Sequence, residues 1–367
     1  MVSEFYEAYR SRHQLVEKWK KAGKKIFGYF CLYAPQELIY AAGIIPVRIR
    51  GSMDNPGLAD AFLPEFVCSY QRSCLNEALA GKYSYLDGVI FSQRCDLNRA
   101  IGTIWVENLK IPYHWRVAMP REHNEPAIEM FTEELRLLKG SLEQYCGHEI
   151  SDESLRQAIN VYNENRSLRR QIYQLALNDD IPLPYSQVFE IMLSGLIMPK
   201  NEHNEMLHRL LNNLPSKGES GNKVRFLLTG NTLENIEVLR AVERYGGQIV
   251  VDDFCFGTGD SWAQIDNTPD PLRGIAEYYL SRRPCSPCMD PERRRIAHML
   301  ELIEDYRVQG VIQATQRYCD NYLIETIPLE TMLKEKGIPL LNVEIDDAEV
   351  TLTRIEGEVQ PFIEMLQ

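Results

Sequence analysis

Hydrophobic and polar positions along this chain switch repeatedly between a strand-like and a helix-like period. Val224–Gly230 (VRFLLTG) is a mostly apolar, β-rich run ending in glycine, and Gln248–Phe254 (QIVVDDF) reads as a second strand. Between them, Thr232 is placed to cap a helix running to about Tyr245, where Gly246-Gly247 stops it. This is a strand–helix–strand unit at the spacing of a parallel sheet. Asp290 is expected to cap the next helix, PERRRIAHMLELIEDYRVQ, whose apolar residues recur at helical spacing. A strand over Gly310–Thr315, a helix near Leu323–Lys336 and a strand over Ile338–Ile345 complete a doubly wound half.

The first half repeats the plan. Ile26–Tyr33 reads as a strand, Pro35 opens a helix through Ala42, Gly43 closes it, and Pro46–Arg50 reads as a second strand. A helix over about Ser69–Ala80, a strand over Gly88–Ser92, a helix near Leu97–Asn108 and a strand around Tyr113–Val117 follow. From about Pro126 to Leu214 the pattern is helical and rich in charge, interrupted at Pro182 and Pro184. The expected fold class is α/β: two Rossmann-like, doubly wound parallel-sheet domains with a helical excursion between them. The expected boundaries are 1–125, 126–215 and 216–367.

Composition narrows the function classes. With 367 residues, 44% hydrophobic and 25% charged, the chain can bury real cores, and disorder is excluded. No apolar run approaches the about 18 residues of a membrane span. The opening MVSEFYEAYRSRHQ has no apolar stretch of the secretory kind. A cytoplasmic location is therefore expected, with no membrane partner. Forty Lys and Arg stand against 52 Asp and Glu, a net charge of -12, which argues against nucleic-acid binding.

The cysteines change the picture most. There are nine: Cys31, Cys68, Cys74, Cys95, Cys146, Cys255, Cys285, Cys288 and Cys319. In a reducing compartment a disulfide framework is not expected, which leaves buried thiols or metal ligands. Gly88-Val89-Ile90 is followed by Gln93-Arg94-Cys95-Asp96, and Gly310-Val311-Ile312 by Gln316-Arg317-Tyr318-Cys319-Asp320. Each block puts a Cys-Asp pair just past the carboxyl end of a strand. One helix earlier stands Cys68 in the first half and Cys285 or Cys288 in the second. Cys31 and Cys255 form a third pair near other strand ends, so each half carries three cysteines in comparable places. Ligands gather outside the carboxyl ends of strands in open α/β sheets. Thiolates hold iron–sulfur clusters, and a cubane held by only three keeps one iron open. Cys146, alone in a helical stretch, and Cys74, six residues past Cys68, read as buried and inert.

Pro284-Cys285-Ser286-Pro287-Cys288 has C-x-x-C spacing, weak evidence for a redox dithiol or half a zinc site. Other machinery is missing. The sequence contains no phosphate-binding G-x-x-x-x-G-K-[ST], and Gly257 and Gly259 fall short of a dinucleotide fingerprint. It has no nucleophile elbow and no H-E-x-x-H, and His203 and His208 are too far apart to share a helix face. An enzyme built this way would work through iron and sulfur.

Several runs resemble the 2-hydroxyacyl-CoA dehydratase and benzoyl-CoA reductase family. They are GYFCLYAPQELIYAAGIIPVRIRG (Gly28–Gly51), VCSYQRSCL (Val67–Leu75), GVIFSQRCD (Gly88–Asp96), VVDDFCFGTGD (Val250–Asp260), GVIQATQRYCD (Gly310–Asp320) and IPLLNVEID (Ile338–Asp346). The closing TRIEGEVQPFIEML is similar to the family's last helix. The resemblance implies two Rossmann-like halves around a [4Fe–4S] cubane, held in the family by three cysteines that match Cys68, Cys95 and Cys319. It also implies a separate ATP-dependent activator protein, carrying its own iron–sulfur cluster, that drives a low-potential electron into the cubane. In the dehydratases that electron makes a ketyl radical from the thioester carbonyl of an acyl-CoA substrate, and the enzyme is a heterodimer of related subunits.

The extra cysteines resemble the branch of double-cubane cluster proteins. These are homodimers in which six cysteines hold two cubanes ([8Fe–9S]) and small molecules are reduced. That branch implies Cys31, Cys68, Cys95, Cys255 and Cys319 as ligands, with Cys285 or Cys288 as the sixth. GTGD at Gly257–Asp260 departs from relatives that carry an arginine there. Three readings follow: an activator-driven iron–sulfur reductase acting as a homodimer, one subunit of a heterodimeric dehydratase or reductase, and a non-catalytic electron relay. Arg94 and Arg317 stand beside candidate ligands as electrostatic tuners or activator contacts, or as plain surface residues. Glu37 stands as a proton donor or as a partner of its helix dipole.

Overall fold

The computed structural model describes residues 2–52, 57–93, 95–178, 181–215, 223–233, 236–282, 285, 293–345 and 351–367. Two helices open the chain, α1 (Val2–Arg10) and α2 (Arg12–Lys21), and lead into β1 (Lys25–Tyr29), α3 (Gln36–Ala41) and β2 (Ile44–Arg48). Then come α4 (Ser69–Leu79), β3 (Gly88–Ser92), α5 (Asp96–Asn108) and β4 (Tyr113–Val117). All pairings in this sheet are parallel, in the order β2-β1-β3-β4. The helical stretch is α6 (Glu125–Cys146), α7 (Asp152–Gln174), α8 (Tyr185–Ser194) and α9 (Lys200–Asn212). Pro184 stands at the N-cap of α8, where a missing N–H costs nothing.

The second sheet is built from β5 (Val224–Gly230), α10 (Glu237–Arg244), β6 (Gly247–Asp252), α11 (Thr258–Ser261) and α12 (Pro271–Ser281). It closes with α13 (Arg294–Asp305), β7 (Gly310–Gln316), α14 (Asp320–Glu335), β8 (Leu340–Ile345) and α15 (Thr351–Leu366). Its order, β6-β5-β7-β8, repeats the first, again all parallel. The fold is thus α/β with two Rossmann-like domains. The central strands β3, β5 and β7 are buried along their whole length, as strands covered on both faces must be. β2 carries Pro46, tolerated because β2 is an edge strand. Among the described residues no helix is long and apolar enough to cross a membrane.

Three boundaries differ from the sequence reading. Thr232 caps nothing; α10 starts five residues later, after Ile236. The Thr232 carbonyl accepts from Gln316 Nε2 at 3.0 Å and the Leu233 carbonyl from Arg50 Nη2 at 2.8 Å, so this backbone is committed to other segments. Asp290 lies outside the described residues, and α13 begins at Arg294, after Arg293 in a left-handed conformation (φ 51°). β1 ends at Tyr29, because the Ala34 N–H turns back to the Cys31 carbonyl at 2.9 Å. The short helices α1, α2, α11 and α12 had no counterpart in the sequence reading.

The helical stretch is fastened to both sheets. α3 and α12 both pack on α7, α12 also on α6, and α1 on α8. The fastening is ionic as well as apolar. Glu37 of α3, fully buried, pairs with Arg166 of α7, and the Tyr279 hydroxyl of α12 lies 2.9 Å from the other Glu37 oxygen. Arg169 of α7 pairs with Asp260 of α11, and Arg282, just past α12, approaches the same carboxylate at 3.5 Å.

Candidate functional site: a thiol-lined seam between the two sheets

Strand order 2-1-3-4 reverses direction between β1 and β3, and between β5 and β7 in the second sheet. A crevice opens at such a point outside the carboxyl ends of the strands. Cys95 and Cys319 occupy it from either side. Each is the N-cap residue of the helix that follows the strand, α5 and α14. The Asn98 N–H donates to Cys95 Sγ at 3.2 Å, with Leu97 adding a second N–H. Cys319 holds the same N-cap position without a side-chain hydrogen bond, with the Asn231 side chain and the Tyr322 and Asn321 N–H groups beside it. Burial pushes the Cys95 thiol up to about 12 against the Asn98 N–H, and Cys31 and Cys319 are near enough to add to the rise. Burial raises Cys319 as well, against the Tyr322 N–H. A helix N-terminus offers the opposite bias, favouring a thiolate that a metal can stabilise.

The remaining cysteines reach the seam from loops. Cys31 lies two residues past β1, and Cys68 is the buried N-cap of α4. The Ser69 hydroxyl bonds Gln316 Oε1 of β7, so the Cys68 loop touches the opposite sheet near Cys319. Cys255 lies three residues past β6. Cys285 lies between α12 and α13, its N–H 3.4 Å from the Tyr33 hydroxyl of the first half. Cys255 and Cys285 line one cavity with Tyr33, Arg282, Arg295 and Tyr322, holding about 340 Å³ of empty space that is partly open solvent. Cys288 lies outside the described residues. Cys74 is fully buried in α4, and Cys146 closes α6 away from the seam. Among the described residues no cysteine forms a disulfide.

The pairing of the halves is therefore true for two cysteine positions and not for the third. Cys95 matches Cys319, and Cys68 matches Cys285 in lying on the crossover into the third strand. Cys31 follows β1, whereas Cys255 follows the edge strand β6. The second half has no room for a side chain where β5 leaves the sheet. Gly230 has φ +150°, and a Cβ there would stand 1.9 Å from the Ala314 carbonyl oxygen of β7.

Charge at the seam is positive and mostly committed. Arg295 pairs with Asp253 at 2.5 Å and with Glu325. Arg282 stacks over Tyr33 at 4.1 Å. Burial would raise the Asp260 carboxyl, but Arg169, Arg166 and Arg282 together hold it well below the usual carboxylate range. Glu37, weighed as a proton donor, is instead locked into the Arg166 pair. Arg317 is half exposed and 3.8 Å from Glu344, a surface position, and Arg94 lies outside the described residues. His203 is buried among Asn165, Ser194 and the Ile191 carbonyl, while His208 pairs with Glu164.

The sequence reading passed over Arg48. It ends β2 buried, with Nη1 3.8 Å from Cys255 Sγ, and its Nε has no hydrogen-bond partner. Burial opposes its charge, and Cys255, Tyr70, Tyr29 and Cys31 face it and sustain it. An arginine inside the apolar run IIPVRIR was the signal that could have found it.

Among the described residues no three His, Cys, Asp or Glu side chains converge on one ion-sized point. A cubane distributes its ligands over several irons, so a wider ring of thiols suits it. Soft sulfur donors, three of them at helix N-termini, beside a buried cation with an orphaned N–H, fit such an anionic cluster in kind.

A family model described as 2-hydroxyglutaryl-CoA dehydratase, D-component, matches residues 31–366. The chain belongs to this family. A benzoyl-CoA reductase subunit from Thauera aromatica is 27% identical, over 95% of this chain and 91% of its own length. The (R)-phenyllactyl-CoA dehydratase beta subunit of Clostridium sporogenes is also 27% identical, over 96% and 94%. The beta subunit of (R)-2-hydroxyglutaryl-CoA dehydratase from Acidaminococcus fermentans matches at 27%, over 99% and 97%. This D-component-family chain therefore matches dehydratase and reductase subunits over nearly their whole length.

Proposed function

We propose that this chain is a cytoplasmic iron–sulfur reductase of the D-component family. It receives low-potential electrons from a separate ATP-hydrolysing activator protein with its own cluster and acts on a small molecule. The observation that carries the reading is the gathering of thiols from both sheets at their switch points, with Cys95 and Cys319 each at the N-cap of the helix that follows its strand. The ligands are Cys31, Cys68, Cys95, Cys255, Cys285 and Cys319, with Cys288 the alternative to Cys285. When bound, the cluster supplies single-electron transfer at low potential. The protein's part is to hold the thiols, to direct the N–H groups of α5 and α14 at two of the sulfurs, and to narrow access through Tyr33, Arg282 and Tyr322. Six ligands favour a double cubane and a homodimer.

The names of the relatives favour a second reading, in which the chain is one subunit of an acyl-CoA dehydratase or reductase with a single cubane. Iron and sulfide per chain, measured on anaerobically purified protein beside Cys255→Ser, separate the two. About eight irons, falling in the variant, are expected from a double cubane. About four, unchanged in the variant, would return the chain to the single-cubane subunits.

A further inference from the structure

Arg48 is 3% exposed; Arg50, two residues on, is buried as well but donates to the Tyr9 hydroxyl and the Leu233 carbonyl. The buried guanidiniums of Arg166, Arg169, Arg282 and Arg295 each have a carboxylate: Glu37, Asp260, Asp260 again, and Asp253. Among the described residues no carboxylate pairs with Arg48, and its Nε makes no hydrogen bond. A buried cation without a counter-charge is costly, and arginine does not escape by losing its proton. The phenols nearby offer no anion. Tyr70 donates to the Ile49 carbonyl at 2.8 Å, and Tyr29 to Gln36 Oε1 at 3.0 Å. The sulfur atoms remain: Cys255 from the second half at 3.8 Å, and Cys31 from the first. The aromatic face of Phe256 lies 5.7 Å from the guanidinium carbon and leaves it directed at the seam.

We propose that Arg48 is the counter-charge of an anionic thiolate-bound centre shared between the halves at Cys31 and Cys255, and that it sets how readily this centre accepts an electron. The inference rests on the iron–sulfur reading above. A fixed positive charge beside a cluster stabilises the more negative, reduced form, and net charge is one of the levers on cluster potential. Arg48 is thus a positioning residue: it reaches the chemistry through the centre it neutralises.

The test uses the full chain, purified anaerobically, as Arg48→Met and Arg48→Lys. Iron and sulfide per chain, a redox titration followed by electron paramagnetic resonance, and melting of the metal-free forms are measured on each. Arg48→Met should make the one-electron reduction about tenfold less favourable, a midpoint lower by about 59 mV. Arg48→Lys, which keeps the charge, should recover most of that shift. The metal-free Arg48→Met protein should melt at or above the wild-type temperature, because removing an unpaired buried charge strands no carboxylate. If Arg48→Met loses its cluster while its metal-free form stays folded, recovery of loading in Arg48→Lys supports the counter-charge, and failure to recover overturns it. An unchanged midpoint at full iron content overturns it too, as does a metal-free Arg48→Met that melts well below wild type, because the arginine would then be a packing residue. A wild-type chain without iron or sulfide would sink the functional reading itself, and this inference with it.

Discussion

The two sheets have the same strand order, and each places a cysteine on the helix that follows its third strand. They part company at the first strand. In the first half the chain leaves β1 with room for Cys31, whereas in the second it leaves β5 through Gly230, pressed against Ala314, and the thiol arrives from the edge strand as Cys255. Buried charge differs in the same way. Glu37 of the first half meets one close guanidinium, while Asp260 of the second stands among three. Positions fixed by topology, namely a helix N-terminus past a central strand, survive divergence of the halves. Positions that depend on how closely two backbones approach do not.

The buried carboxylates should break the symmetry most. Asp260→Asn leaves Arg166, Arg169 and Arg282 short of their shared counter-charge and should cost about 3–5 kcal/mol, the usual result of removing one partner of a buried ion pair. Glu37→Gln leaves Arg166 with Asp260 at 3.8 Å, and should cost about 1–3 kcal/mol for one unsatisfied donor. Urea denaturation of the metal-free proteins ranks them, and equal losses would refute the asymmetry. The pH dependence has a definite sign. The folded value of Asp260 is depressed, so its stabilisation is present above about pH 4 and is lost as the pH falls below that. Asp260→Asn should lack this acid limb.

The glycines come next. At Gly230 an added Cβ meets backbone atoms of Ala314 in a conformation that L-residues avoid, so Gly230→Ala should cost about 3 kcal/mol, the upper end of overpacking. At Gly28 of β1 the Cβ meets Ile49 Cδ1 at 2.8 Å, the end of a flexible side chain, and Gly28→Ala should cost about 1 kcal/mol. If Gly230→Ala unfolds no more easily than Gly28→Ala, backbone crowding is not what excludes a cysteine from that turn.

Much of this was legible in the chain. Apolar runs such as GVIFS and VRFLLTG mark central strands because both faces are covered, and the repeated Gly-Val-Ile followed by Cys-Asp located two equivalent thiols. Thr232 misled because a capping signal is local. The Thr232–Leu233 carbonyls are taken by Gln316 and Arg50, partners 84 and 183 residues away, which no window of sequence reveals. Glu37 misled for a similar reason: its partner Arg166 comes from a helix 129 residues later. Arg48 was legible as a charge in an apolar strand, but its counterpart Cys255 depends on how the two sheets face each other.

The smallest effect tests the symmetric part of the comparison. Cys95 Sγ accepts the Asn98 N–H, whereas Cys319 holds the same N-cap position without a side-chain hydrogen bond, so in the metal-free protein only Cys95 acts as a modest N-cap. Cys95→Ala should cost about 0.5–1 kcal/mol and Cys319→Ala less, and the serine variants should stay level or gain a few tenths, because a hydroxyl caps well. Chemical denaturation without metal isolates this contribution from any role in holding a cluster. Losses that match within about 0.5 kcal/mol would show the two seats to be one solution used twice. A loss at one position alone would mean that the repeat places the sulfur but not the bonds it makes.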